Sequence, residues 1–84
     1  MNTTVNKSEI VAKVRSIFHE KLGVEESTLV PNASFSNDLG LDSLDVFETF
    51  MALEKEFDIK IADEDAEKLT TVGSVINYIV AHAH

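Results

Sequence analysis

Two stretches of helical apolar spacing, separated by a long polar segment, constrain this chain most. Val11, Val14, Ile17, Phe18 and Leu22 recur three and four residues apart, and so do Val46, Phe50, Leu53 and Phe57, which predicts two amphipathic helices. The first begins at Asn6, with Glu9 three residues on as in a capping box and Val5 and Ile10 at staple spacing, and stops near Gly23. The second runs from Ser43 to about Phe57. Between them lies a loop of about twenty residues, longer than compact domains usually carry. Leu29, Val30, Phe35 and Leu39 are expected to pin it to the core, so that it presents its end rigidly. A short third helix is predicted over Asp63–Leu69, acids first and lysine late, with Ile59 and Ile61 as core anchors before it. The last starts at Thr70 or Thr71 and buries Val72, Val75, Ile76 and Ile79 with Tyr78 at its side, although Gly73 weakens that start by about 1 kcal/mol. Residues 81–84 should fray. The expected fold is all-α: a small four-helix bundle with a long first loop and a short third helix. It is one domain over residues 1–84 with an ordered core at about 6–80, since a chain this size has no room for two cores.

Net charge is −8 and is unevenly placed. Eleven acids and three lysines fall between Ser36 and Leu69, and the remainder of the chain sums to zero. Before Gly23 the chain is mildly basic, through Lys7, Lys13, Arg15 and Lys21. An acidic half repels nucleic acid and anionic lipid and speeds encounter with basic protein patches. No apolar run is long enough to span a membrane, and Met1–Lys7 has neither a signal-peptide core nor an arginine-rich transit pattern, so cytoplasmic location without membrane insertion is expected. Nothing in the sequence requires more than a monomer. Cysteine is absent, which excludes disulfides and thiolate metal sites.

On the second helix Leu44, Phe47 and Met51 form another apolar stripe, roughly 120° from the core stripe at 100° per residue, interleaved with Glu48, Glu54 and Lys55. Two stripes need two burial partners. The second either packs under a loop or docks other proteins, and the charges between its apolar members favour docking.

Catalytic readings are weak. A serine nucleophile needs a base, yet His19, His82 and His84 make no triad by spacing, so no catalytic residue is assigned. Asp38, Asp42 and Asp45 are spaced by four and three, unlike an EF-hand loop; loose divalent binding to the acidic face is expected, and a dedicated metal site is not. No glycine-rich phosphate cradle precedes a helix.

At the boundary of loop and second helix stands Asp38-Leu39-Gly40-Leu41-Asp42-Ser43-Leu44-Asp45-Val46-Phe47. By local chemistry Asp42 and Ser43 first read as a helix cap. The stretch continues through Met51-Ala52-Leu53-Glu54-Lys55-Glu56-Phe57-Asp58, Ile59-Lys60-Ile61-Ala62-Asp63-Glu64-Asp65 and Glu67-Lys68-Leu69-Thr70-Thr71-Val72, and in that order it resembles the acyl carrier proteins, bacterial type, from about Lys7 to Val80. The resemblance implies that Ser43 is esterified by 4'-phosphopantetheine through a separate phosphopantetheinyl transferase, with Asp42 positioning that enzyme's metal as well as capping. It implies acyl groups carried as thioesters and delivered to basic patches of fatty-acid synthesis enzymes, which dock on Leu44, Asp45, Phe47, Glu48, Met51 and Glu54. It also implies an acyl chain that slides between the helices, with Phe50, Leu53, Phe57 and Ile61 as candidate lining. Three positions depart from the usual pattern: Lys55 replaces a common acid, Phe47 is bulkier than the usual aliphatic, and Thr49 is polar beside the core stripe. A carrier specialised to polyketide or other dedicated acyl transfer therefore stays open, as does an unmodified helical interaction module.

Overall fold

The computed structural model describes residues 6–82, so the Val5 staple and Ala83 and His84 lie outside the described residues. Among the described residues four α-helices follow in chain order: α1 over Lys7–Leu22, α2 over Ser43–Phe57, α3 over Asp63–Ala66 and α4 over Val72–His82. Among the described residues the only extended pairing is an isolated bridge between Ser34 and Thr71. α1 packs against both α2 and α4, around a core that includes Val14, Phe18, Leu53 and Ile79, all fully buried.

Local chemistry sets the ends of α1. Asn6 Oδ1 accepts a hydrogen bond from the Glu9 amide at 2.9 Å, and Gly23 closes the helix in the left-handed region at φ 70°, donating its amide to the His19 carbonyl. The buried face is Ile10, Val14 and Phe18; Val11, Ile17 and Leu22 pack half-buried at its flanks, so the stripe is rotated toward Ile10 from the predicted one. That rotation follows from α1 serving two neighbours at once, which spacing within one helix does not register.

The segment between α1 and α2 holds one 3-10 turn, Glu26–Thr28, and is tied down by its own backbone. The Phe35 amide donates to the Thr70 carbonyl at 3.0 Å, Val72 donates to Ala33 at 3.1 Å, and Gly73 donates to Pro31 at 2.7 Å. Leu29 and Phe35 are buried and Leu39 is half-buried as expected, but Val30 is 47% exposed and Ala33 occupies the core in its stead. Phe35 stacks on Phe18 at 5.2 Å between ring centroids and meets Phe50 edge-on at 6.1 Å, which fixes the segment against α1 and α2 together.

α3 is shorter than predicted. Past Ala66 the chain tightens, with Lys68 donating to Asp65 and Leu69 to Ala66, and this turn carries Leu69 into the core. α4 buries Val72, Val75, Ile76 and Ile79 as the spacing predicts. Thr71 and Ser74 bond reciprocally at its start, each side-chain oxygen accepting the other's amide. The expected fraying does not begin at Ala81: the helix continues through His82, whose ring stacks on Tyr78 at 4.1 Å.

Candidate functional site

Ser43 is the first residue of α2, and its side chain is exposed. Its position is fixed from both sides. Upstream, Asp38 folds the approach: its carboxylate accepts from the Ser34 amide at 2.7 Å, while its own amide and that of Leu39 donate to the Ser34 carbonyl. Gly40 then turns the chain at φ 65°, in the left-handed region where a side chain would be strained, and Leu41 donates to Phe35 at 2.8 Å. Downstream, Asp42 caps α2, with Oδ1 accepting from the Asp45 amide at 2.9 Å. With the cap supplied by Asp42, Ser43 lies one residue inside the helix and is exposed. Asp38 and Gly40, part of the same ten-residue motif, serve to aim it.

The second stripe of α2 stands in solvent. Leu44 is 63% exposed, Phe47 50% and Met51 47%, so no loop of the described residues covers them, and Glu48 and Lys55 beside them are exposed. Asp45 and Glu54 are half-buried. Glu54 has an internal duty: its carboxylate accepts from the Ile61 amide at 2.7 Å, fastening the link from α2 to α3. Thr49 is fully buried and donates its hydroxyl back to the Asp45 carbonyl at 2.9 Å, which satisfies a polar group in the core.

Beside Ser43 opens a cavity of about 560 Å³. Val46, Phe47 and Phe50 of α2, Phe35 and Leu41 before it, and Ala66 and Leu69 after it give the apolar wall. Of the four residues expected to line an acyl site, only Phe50 lines this cavity. Leu53 and Ile61 are sealed in the core and Phe57 is half-buried elsewhere. Leu41, Ala66 and Leu69 were not foreseen as lining, because the cavity forms where segments distant in sequence meet, and periodicity within α2 carries no sign of them. Among the described residues no group of three or more His, Cys, Asp or Glu side chains is placed to hold a metal, and no helix is long and apolar enough to cross a membrane.

The fold thus presents an exposed serine at the head of an acidic helix, adjoining an apolar cavity. Comparison with known proteins gives the family. Residues 12–79 match the family described as phosphopantetheine attachment site. The acyl carrier protein of Enterococcus faecalis has a similar structure, with a TM-score of 0.79 and 35% sequence identity over 94% of this chain and 100% of that one. The chain belongs to the phosphopantetheine-attachment family, among its acyl carrier proteins. Its cofactor is covalent 4'-phosphopantetheine, and its partners include a phosphopantetheinyl transferase and acyl-handling enzymes. The residues present fit that group: Ser43 would offer it a hydroxyl on an exposed residue at the N-terminus of a fifteen-residue helix, where the dipole favours a phosphate. The group supplies a terminal thiol, which a chain without cysteine otherwise lacks.

Proposed function

We infer that this chain carries acyl groups as thioesters on a 4'-phosphopantetheine arm esterified to Ser43 and delivers them to fatty-acid synthesis enzymes. In loading, Ser43 Oγ bonds to the phosphorus of coenzyme A that bears the pantetheine, the pyrophosphate linkage breaks, and the adenosine bisphosphate leaves. The transferase takes the hydroxyl proton. Asp42 has two parts in this reading: it holds the first turn of α2, and its second carboxylate oxygen is free to help position the transferase's metal. The chain itself is a carrier, works as a monomer in the cytoplasm, and contributes no catalytic residue.

The observation that carries this reading is the exposure of Ser43 on a fixed helix start beside an apolar cavity. Docking falls to the exposed strip of Leu44, Phe47 and Met51, with Asp45 and Glu48 drawing in basic surfaces and Glu54 contributing charge from a half-buried position. Small charged interfaces of this kind release quickly, as successive delivery requires. The acyl chain lies in the cavity against Val46, Phe50 and Leu69. The exposed Lys55 and the bulky, exposed Phe47 favour a second reading, a carrier dedicated to polyketide or another specialised acyl pathway that uses the same Ser43 chemistry.

Intact mass after incubation with coenzyme A and a broad-specificity phosphopantetheinyl transferase tests the tether. The wild-type chain gains one arm and Ser43→Ala gains none. An unmodified wild type contradicts the reading and leaves the unmodified interaction module, and a modified Ser43→Ala chain contradicts the placing of the tether on Ser43.

A further inference from the structure

The cavity beside Ser43 is apolar inside and acidic at its mouth. Its charged lining residues are Asp42, Asp63 and Glu67, all exposed, and no lysine, arginine or histidine among the described residues lines it. Deeper in, Phe35 and Phe50 are only 4% and 3% exposed and meet edge-on, with Phe18 stacked on Phe35, so the buried part of the lining is aromatic. A hydrocarbon chain entering this space exchanges water for aliphatic and aromatic contact. A chain ending in a carboxylate meets two penalties of the same sign. It passes three like charges at the rim, an effect that water and salt screen, and it then loses hydration with no cation inside to replace it. The second penalty decides, because solvent does not relieve it.

We propose that the cavity sorts acyl groups by terminal charge, admitting neutral chains and leaving carboxylate-terminated ones in solvent. This rests on the reading of Ser43 as the tether and of the cavity as the acyl site. Its consequence is functional. A carboxyacyl group stays open to a docked enzyme, whereas a neutral chain of the same length is shielded until a partner draws it out.

The test loads the holo-protein with octanoyl, with suberoyl, which is the same chain ending in a carboxylate, and with the methyl ester of suberoyl. Two quantities are read: the rate of thioester cleavage by hydroxylamine, relative to the corresponding coenzyme A thioester, and the backbone amide shifts of Val46, Ala66 and Leu69. Octanoyl and the methyl ester should move those amides and be cleaved at least about tenfold more slowly than suberoyl, as the cost of an unpaired buried charge requires. Glu67→Lys, an exposed substitution that alters only the screened rim, should leave the suberoyl rate unchanged, and a suberoyl slowed by it would overturn the decisive part given to the interior penalty. If suberoyl and octanoyl are equally shielded and shift the same amides, sorting by charge is overturned while the acyl-site reading stands. If none of the three moves the cavity amides, the acyl-site reading falls and the sorting falls with it.

Discussion

Gly73 is a residue whose role is invisible in sequence and plain in space. Read along the chain it only weakens the start of α4. In the fold, a Cβ there would lie 2.7 Å from the Pro31 carbonyl oxygen, the same atom that accepts the Gly73 amide. The missing side chain lets the loop lie directly on the helix, and with it the segment that leads to Ser43. Replacing Gly73 by Ala sets two effects against each other: a helix-propensity gain of about 1 kcal/mol and an overpacking cost of about 1–3 kcal/mol against backbone that cannot rotate away. The clash should win, lowering stability by up to about 2 kcal/mol in urea unfolding; a stabilised variant would show that the close approach is not required. Asp42 behaves differently, since its capping bond is local and was legible from its place before an apolar run.

At the scale of the element, α2 shows what periodicity can and cannot resolve. Its limits, its buried Phe50 and Leu53 and its exposed second stripe follow from spacing, because a helix shows its faces in its own sequence. Glu54 does not follow: it sits among docking charges by angle, yet its carboxylate accepts the Ile61 amide seven residues on. Glu54→Ala should therefore cost about 1–3 kcal/mol, the range for leaving a partly buried amide unpaired, whereas Glu54→Gln keeps an acceptor and should cost less. Equal stability of the two variants by thermal unfolding would show that the bond contributes nothing. α3 is held in a similar way by Tyr78, whose hydroxyl donates to the Asp65 carboxylate at 3.0 Å and also reaches the Lys60 carbonyl at 3.3 Å. Burial first, and then the bond to Asp65 and its charge, hold the Tyr78 phenol above its ordinary value of 10.0. The unfolded chain thus ionises first, so the stabilisation is complete below pH 10 and is lost as pH rises through the higher folded value. Lys13, raised above 10.5 by its hydrogen bond to Glu56, acts in the same direction but is exposed and adds little. Tyr78→Phe should lower stability at neutral pH by about 1 kcal/mol and flatten the alkaline decline in denaturation followed from neutral pH upward. An unchanged alkaline limb would place its origin elsewhere.

Across the whole molecule, charge and topology divide the labour. The acidic residues gather between Ser36 and Leu69, the stretch that holds Ser43, the exposed strip and the cavity mouth, while the basic surplus lies on α1. That polarity and the four-helix plan were legible from composition and spacing, and the exposed place of Ser43 at the head of α2 was legible from its motif. The cavity wall was not, because Phe35, Leu41, Ala66 and Leu69 come together only when the first loop and the α3 turn close over α2. The account depends on one oxygen in this arrangement being the point of attachment. Cleavage after Lys21 and Lys55 isolates residues 22–55, a peptide that carries Ser27, Ser34, Ser36 and Ser43 together. Tandem mass spectrometry of that peptide from the loaded protein should place the whole phosphopantetheine adduct on Ser43; an adduct on Ser34, Ser36 or any other residue, with Ser43 unmodified, would contradict the account at its centre.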